Sequence, residues 1–235
     1  MDTAAKLAEY GKKIGSDILF AGVPKTIDND LVLTDHTPGY GSAAKYIGTS
    51  VKEIIRDSWS LETTSGQVII VEVMGRNAGY IALWCGIAAG AEEIIIPERY
   101  DGNRLRLLNQ LVEGVMETHS KGKRHHLIIN AEGIGHSYGM AKDLEEATGI
   151  ETRASILGHV QRGGSPTAKD RGYASYMSAL AVDLLCAGAS NRVVGYRNGQ
   201  YVDYDIDEAL SMRKDVDEYE YQISRMLGRS IYTIS

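Results

Sequence analysis

Lys25-Thr26-Ile27-Asp28-Asn29-Asp30 places a cation, a hydroxyl and two carboxylates side by side. One carboxylate suits a general base and the other a metal ligand. A lysine beside them neutralises phosphate oxygens as charge moves during group transfer. The same residue types also bend loops and cap helices, so Asp-Asn-Asp taken alone reads equally well as a turn. The apolar run at 18–23 predicts a buried strand, and Pro24 ends it by fixing φ and removing a ladder donor. A polar loop at that strand's carboxyl end lies where open α/β sheets place ligands.

Other polar residues collect at other strand ends. The β-branched run at 67–73 predicts a strand buried on both faces, and it empties into Met74-Gly75-Arg76. There Gly75 permits close backbone approach, and Arg76 offers a planar fork to phosphate. A strand over 126–131 leads to Glu132, a residue type that also serves as a plain helix-approach cap. A strand over 152–157 runs into Gly158-His159-Val160-Gln161-Arg162-Gly163-Gly164. Arg153, His159 and Arg162 fall within ten positions, the donor density that charge-assisted bonds to a phosphate dianion require. Parallel strands present such ends to one crevice, so the four loops are expected to meet.

Elements alternate along the chain in support of these strand ends. Helices are expected over 1–15, 40–59, 78–89, 104–119, 142–148 and 169–185. A further strand is expected over 93–96, a hairpin at Asn198-Gly199, and two helical segments at the end, the last over 219–227. Such alternation predicts an α/β fold with largely parallel sheets. The chain has 235 residues, 43% apolar and 24% charged, which suits globular packing. Its net charge of −6 argues against non-specific nucleic-acid binding and leaves local phosphate pockets open. Cys85 and Cys186 lie in apolar helical patterns and read as core thiols. No stretch is long enough to span a bilayer and no leader is evident, so a cytoplasmic, non-membrane protein is expected.

Pro24-Lys25-Thr26-Ile27-Asp28-Asn29-Asp30-Leu31, followed by Thr34-Asp35-His36-Thr37-Pro38-Gly39-Tyr40, resembles the signature of the phosphofructokinase family. Val73-Met74-Gly75-Arg76 and Gly158-His159-Val160-Gln161-Arg162-Gly163-Gly164-Ser165-Pro166 resemble two more of its segments, in the family's order. The resemblance implies a two-lobed fold with a phosphoryl-donor lobe from 1–39 and 161–211. The fructose 6-phosphate lobe would come from 40–160 and 212–235. It implies that Asp28 takes the proton from the C1 hydroxyl of fructose 6-phosphate, and that Thr26, Lys25 and Arg76 face the reacting phosphate. Asp30 would help hold Mg2+. Glu132, Arg153, His159 and Arg162 would bind the sugar and its 6-phosphate, with Ile27, Met74, Gly75, Val160 and Gln161 completing the substrate-binding set. Arg153 would be lent by a neighbouring subunit of a homo-oligomer.

The family's Gly-Gly-Asp-x-Ser donor loop is expected immediately before Met1, so this chain alone is expected to transfer slowly or not at all. Gln67 stands where many bacterial ATP-using members carry arginine. Lys25 resembles pyrophosphate-dependent members, which makes pyrophosphate the expected donor and ATP the alternative. A non-catalytic sugar-phosphate-binding or regulatory subunit is the alternative of another class.

Overall fold

The computed structural model describes residues 2–60, 66–212 and 214–228. Residues 1, 61–65, 213 and 229–235, which fall within the expected elements and lobes, lie outside them. The chain divides into two compact units, Met1–Ser42 with Ser165–Lys214 and Ala43–Gly164 with Asp215–Ser235.

The second unit is built on four parallel strands: β2 (Gln67–Val73), β3 (Glu93–Ile95), β4 (His125–Ala131) and β5 (Glu151–Ile156), in the order β3-β4-β2-β5. β2 and β4 run in register from Gln67 against His125 to Val73 against Ala131, so their carboxyl ends finish level. Both are buried along almost their whole length, as β-branched runs in a helix-covered sheet should be. One face carries Val68, Ile70, Ile95 and Ile128. It packs on Leu111 and Val115 of α4 (Arg104–Ser120) and on Met140, Ala141 and Leu144 of α5 (Ser137–Thr148). On the Ile94 face lies α3 (Tyr80–Ala89), where Gly86 approaches Ile94 so closely that a Cβ would overlap it. α2 (Tyr40–Ser60) buries Ala43, Ile47 and Val51 on one stripe, and α8 (Glu218–Gly228) packs against α3 and β3.

The first unit holds a three-stranded sheet, β1 (Ala21–Gly22), β6 (Arg192–Arg197) and β7 (Gln200–Asp205), in the order β1-β6-β7. β1 runs parallel to β6, and β6 and β7 form the expected hairpin. Its turn residues have φ of +50° at Asn198 and +81° at Gly199, the pair that a type I′ turn requires. Val193 faces Leu33, Ile206 and Ala209, the last two from α7 (Ile206–Ser211), with Ala4 and Ala5 of α1 (Asp2–Lys13) against them. Val194, one residue on and so on the opposite face, meets Met177 and Ala181 of α6 (Ala168–Cys186).

Three expectations change. The run at 18–23 is not a buried strand: only Ala21 and Gly22 pair, on a sheet edge, and Ile18 and Val23 are exposed. Cys85 is buried, and burial pushes its thiol up to about 12, whereas Cys186 ends α6 on an exposed face. The helix expected at 142–148 starts five residues earlier, at Ser137, because His136 turns the chain at φ +60° and Met140 already bonds back to it. No helix of the described residues is long and apolar enough to cross a membrane.

The second unit's stability is expected to rest on the layer around Leu144, which is fully buried. Leu144→Ala should cost about 2–5 kcal/mol, read as a lower urea midpoint for that unit. A loss below about 1 kcal/mol would place the core elsewhere.

Candidate active site

In the second unit the level ends of β2 and β4, and the turn after β5, are fastened together by side chains. Glu132 follows the last residue of β4, and its Oε1 accepts from the N–H of Gly75 at 3.1 Å and of Arg76 at 2.6 Å. Gln161 is 1% exposed; its Oε1 accepts from Met74 N at 3.0 Å and its Nε2 donates to Gly158 O at 2.9 Å. One carboxylate and one amide thus fix Met74, Gly75 and Arg76, the residues that leave β2.

The backbone there is unusual. Gly75 has φ +146° and Arg76 φ +53°. A Cβ at Gly75 would press on Ala78 O, and one at Gly133 would overlap Arg76 O, so both glycines are set by close backbone approach. A left-handed arginine costs about 1–3 kcal/mol and needs compensation, which the charge-assisted bond from its N–H to Glu132 provides. The result presents Arg76 at the strand end with its side chain exposed. His159 and Arg162 lie on the 3-10 turn Gly158–Arg162, with an Arg162 guanidinium nitrogen 2.6 Å from His159 Nδ1. Two arginines and a histidine at strand ends form a site suited to an anion with several oxygens.

In the first unit the loop after β1 carries Lys25, Thr26, Ile27, Asp28 and Asp30. Asp28 is 9% exposed, and its N–H donates to Thr26 Oγ1 at 3.1 Å, while Lys25 and Asp30 are exposed. The loop is closed by a bridge from Thr26 to Gly39 and by the Thr37 hydroxyl, which donates to Thr26 O at 2.8 Å. Its far side is pinned by His36, whose Nε2 lies 2.6 Å from Asp170 Oδ1. Burial alone would raise the Asp170 pKa; hydrogen bonds from Ser42 and from His36 outweigh that and hold it below the usual carboxylate range.

Met74, Gly75, Arg76, Glu132, Gly158, His159, Val160, Gln161 and Arg162 therefore belong to one strand-end cluster, and Thr26, Ile27, Asp28 and Asp30 to a loop of the other unit. The four loops expected at one crevice come from two sheets. Arg153 sits in the middle of β5, at the sheet edge, where its Nε donates to Glu151 Oε1 at 2.8 Å. Two roles were not read from the sequence: Glu132 as the holder of the 75–76 backbone, and Gln161 as the cross-link to Met74. Among the described residues no group of three or more His, Cys, Asp or Glu is placed to hold a metal ion. An exposed carboxylate such as Asp30 fits Mg2+, which is commonly held by one or two carboxylates together with substrate phosphates.

Fold and site together define an α/β protein with arginines and a histidine gathered at the strand ends of its parallel sheet. The phosphofructokinase family profile matches residues 1–185, and the chain belongs to that family. It is 48% identical over 222 residues to the ATP-dependent 6-phosphofructokinase of Clostridium botulinum, covering 94% of this chain and 66% of that protein. It is 44% identical over 227 residues to the enzyme of the same name from Clostridium acetobutylicum, covering 96% and 66%. Among solved structures it is similar to the pyrophosphate-dependent phosphofructokinase of Marinobacter aquaeolei. The TM-score is 0.78 at 27% identity, over 99% of this chain and 65% of that one. The chain spans about two thirds of the length of the curated relatives it matches.

Gln161→Ala is expected to leave Met74 N–H buried and unpaired, at about 1–3 kcal/mol, measured by denaturant unfolding of the second unit. A neutral effect would mean that this cross-link does not hold the strand end.

Proposed function

We propose that the chain provides the fructose 6-phosphate site and phosphoryl-transfer residues of a phosphofructokinase, which forms fructose 1,6-bisphosphate. The observation that carries this reading is the Glu132 carboxylate fixing the left-handed Gly75-Arg76 backbone beside the turn bearing His159 and Arg162. That arrangement suits a sugar phosphate: guanidinium groups for the dianion, and backbone and carboxylate groups for hydroxyls.

In this reading Arg162 and His159 hold the 6-phosphate, with Glu132, Met74, Gly75, Val160 and Gln161 around the sugar. Asp28 removes the C1 hydroxyl proton, and its low exposure keeps it from being a solvated turn carboxylate. Thr26, Ile27 and Arg76 orient the phosphoryl group, and Asp30 helps hold Mg2+, which neutralises phosphate charge when bound. Arg153 acts on a neighbouring subunit's site in a homo-oligomer; its place on an exposed edge strand supports this. The protein works in glycolysis in the cytoplasm.

For the donor, the relatives at 48% and 44% identity are named ATP-dependent, which favours ATP. Pyrophosphate is kept as a second reading on Lys25, which is exposed in the Asp28 loop, and on the Marinobacter structure.

Calorimetry with fructose 6-phosphate tests the sugar site without any donor. Wild-type chain should bind it and not fructose, and Arg162→Ala should weaken binding about 10- to 100-fold, the value of a charge-assisted bond of about 1.5–3 kcal/mol. Equal affinity for fructose, or an unchanged Arg162→Ala variant, contradicts the reading. Coupled assays with each donor then decide between ATP and pyrophosphate.

A further inference from the structure

The residue between the two carboxylates is built firmly into the loop. Asn29 is 6% exposed with φ +52°, a left-handed conformation that asparagine tolerates better than most residues. Both ends of its amide are used: Nδ2 donates to Asp35 O at 3.2 Å, and Oδ1 accepts from Thr37 N at 3.0 Å. Its main-chain oxygen accepts from Lys214 Nζ at 2.7 Å. An ordinary Asx turn bonds two residues onward. Here the side chain reaches six and eight residues onward, to the opposite limb of the loop.

That limb is itself anchored. His36 lies between Thr34, whose hydroxyl donates to His36 O at 2.9 Å, and the aromatic rings of Tyr40 and Tyr173. Its Nε2 meets Asp170 Oδ1, and Asp170 Oδ2 accepts from Ser42 N at 2.7 Å and from the Ser42 hydroxyl. Asp170 N in turn donates to Thr167 Oγ1 at the start of α6. Asp35 N bonds to Tyr196 O in β6 at 2.7 Å, which fastens the same limb to the sheet.

Asp28 is thus placed between two fixed neighbours, Thr26 closed against Gly39 and Thr37, and Asn29 closed against Asp35, Thr37 and Lys214. We propose that Asn29 is a positioning residue that sets the aim of the Asp28 carboxylate, with the His36–Asp170–Ser42 cluster as its anchor. This rests on the reading of Asp28 as the base. The amide supplies a donor to Asp35 O and an acceptor to Thr37 N from two separate atoms of one short side chain. Aspartate would turn an acceptor toward the Asp35 carbonyl. Glycine keeps the positive φ and loses both links, which separates backbone conformation from side-chain bracing.

The test compares wild type, Asn29→Gly, Asn29→Asp and Asp170→Asn by amide hydrogen exchange and by phosphoryl-transfer kinetics. In Asn29→Gly, exchange over 26–39 should rise about tenfold or more while β6, β7 and α6 keep their protection. The kcat should fall about 10²-fold, the scale of a small misplacement of a reacting group, with KM for fructose 6-phosphate nearly unchanged. Asp170→Asn should show the same pattern in smaller size. Should Asn29→Gly fail to fold, Asn29→Asp, which keeps Oδ1 and lacks the donor, carries the same expectation. Unchanged exchange over 26–39, loosening spread evenly over the first unit, or a KM that rises in step with the loss of kcat overturns the proposal. Because a chain that spans about two thirds of its relatives' length can fail to transfer for reasons unrelated to Asp28, absent transfer from either donor does not bear on the base. The bracing by Asn29 then stands or falls on the local or uniform pattern of exchange alone.

Discussion

A single carboxylate oxygen, Glu132 Oε1, receives two consecutive backbone N–H groups, those of Gly75 and Arg76. The site in the second unit depends on that contact. Without it the left-handed Arg76 loses a bond that offsets its backbone energy, and two donors at a strand end lose this acceptor. The contact is available only because β2 and β4 finish level and Gly133 has no Cβ to strike Arg76 O. Sheet register, a glycine and an acid at a strand end therefore act as one device. The Arg76 guanidinium is presented by the geometry of its own main chain.

The first unit solves the corresponding problem differently. Its loop leaves a two-residue strand at a sheet edge, so no pair of strands holds it in place. Side chains do this instead, with Asn29, Thr37 and the His36–Asp170 pair bonding one limb to the other and to α6. A buried polar network of this kind is costly when half satisfied and rigid when complete. Asp28 lies between its fixed points, while Lys25 and Asp30 lie outside it on the exposed side.

Much of this was legible in the sequence for definite reasons. The strand at Gln67–Val73 was readable because β-branched runs suit strands covered on both faces, and α4 was readable from its helical apolar spacing. The hairpin at Asn198-Gly199 declared itself by residues that accept positive φ. The strand at 18–23 misled because apolar content signals burial only where neighbours exist, and this segment has one paired edge. The roles of Glu132, Gln161 and Asn29 were hidden because each depends on bonds to backbone distant in the chain, which residue type and spacing do not encode. The motifs located the chemistry, and the tertiary contacts assigned which polar residues hold and which are held.

The most direct measurement is fructose 6-phosphate affinity in Glu132→Ala and Glu132→Gln, with amide exchange at Gly75 and Arg76 followed in the same proteins. If the carboxylate shapes the strand-end site, Glu132→Ala weakens binding about tenfold or more and releases both amides. Glu132→Gln, which keeps a neutral acceptor, then falls between it and the wild type, since charge-assisted bonds are about twice as strong as neutral ones. Glu132→Ala protein that binds the sugar phosphate as the wild type does, with both amides still protected, would contradict the account.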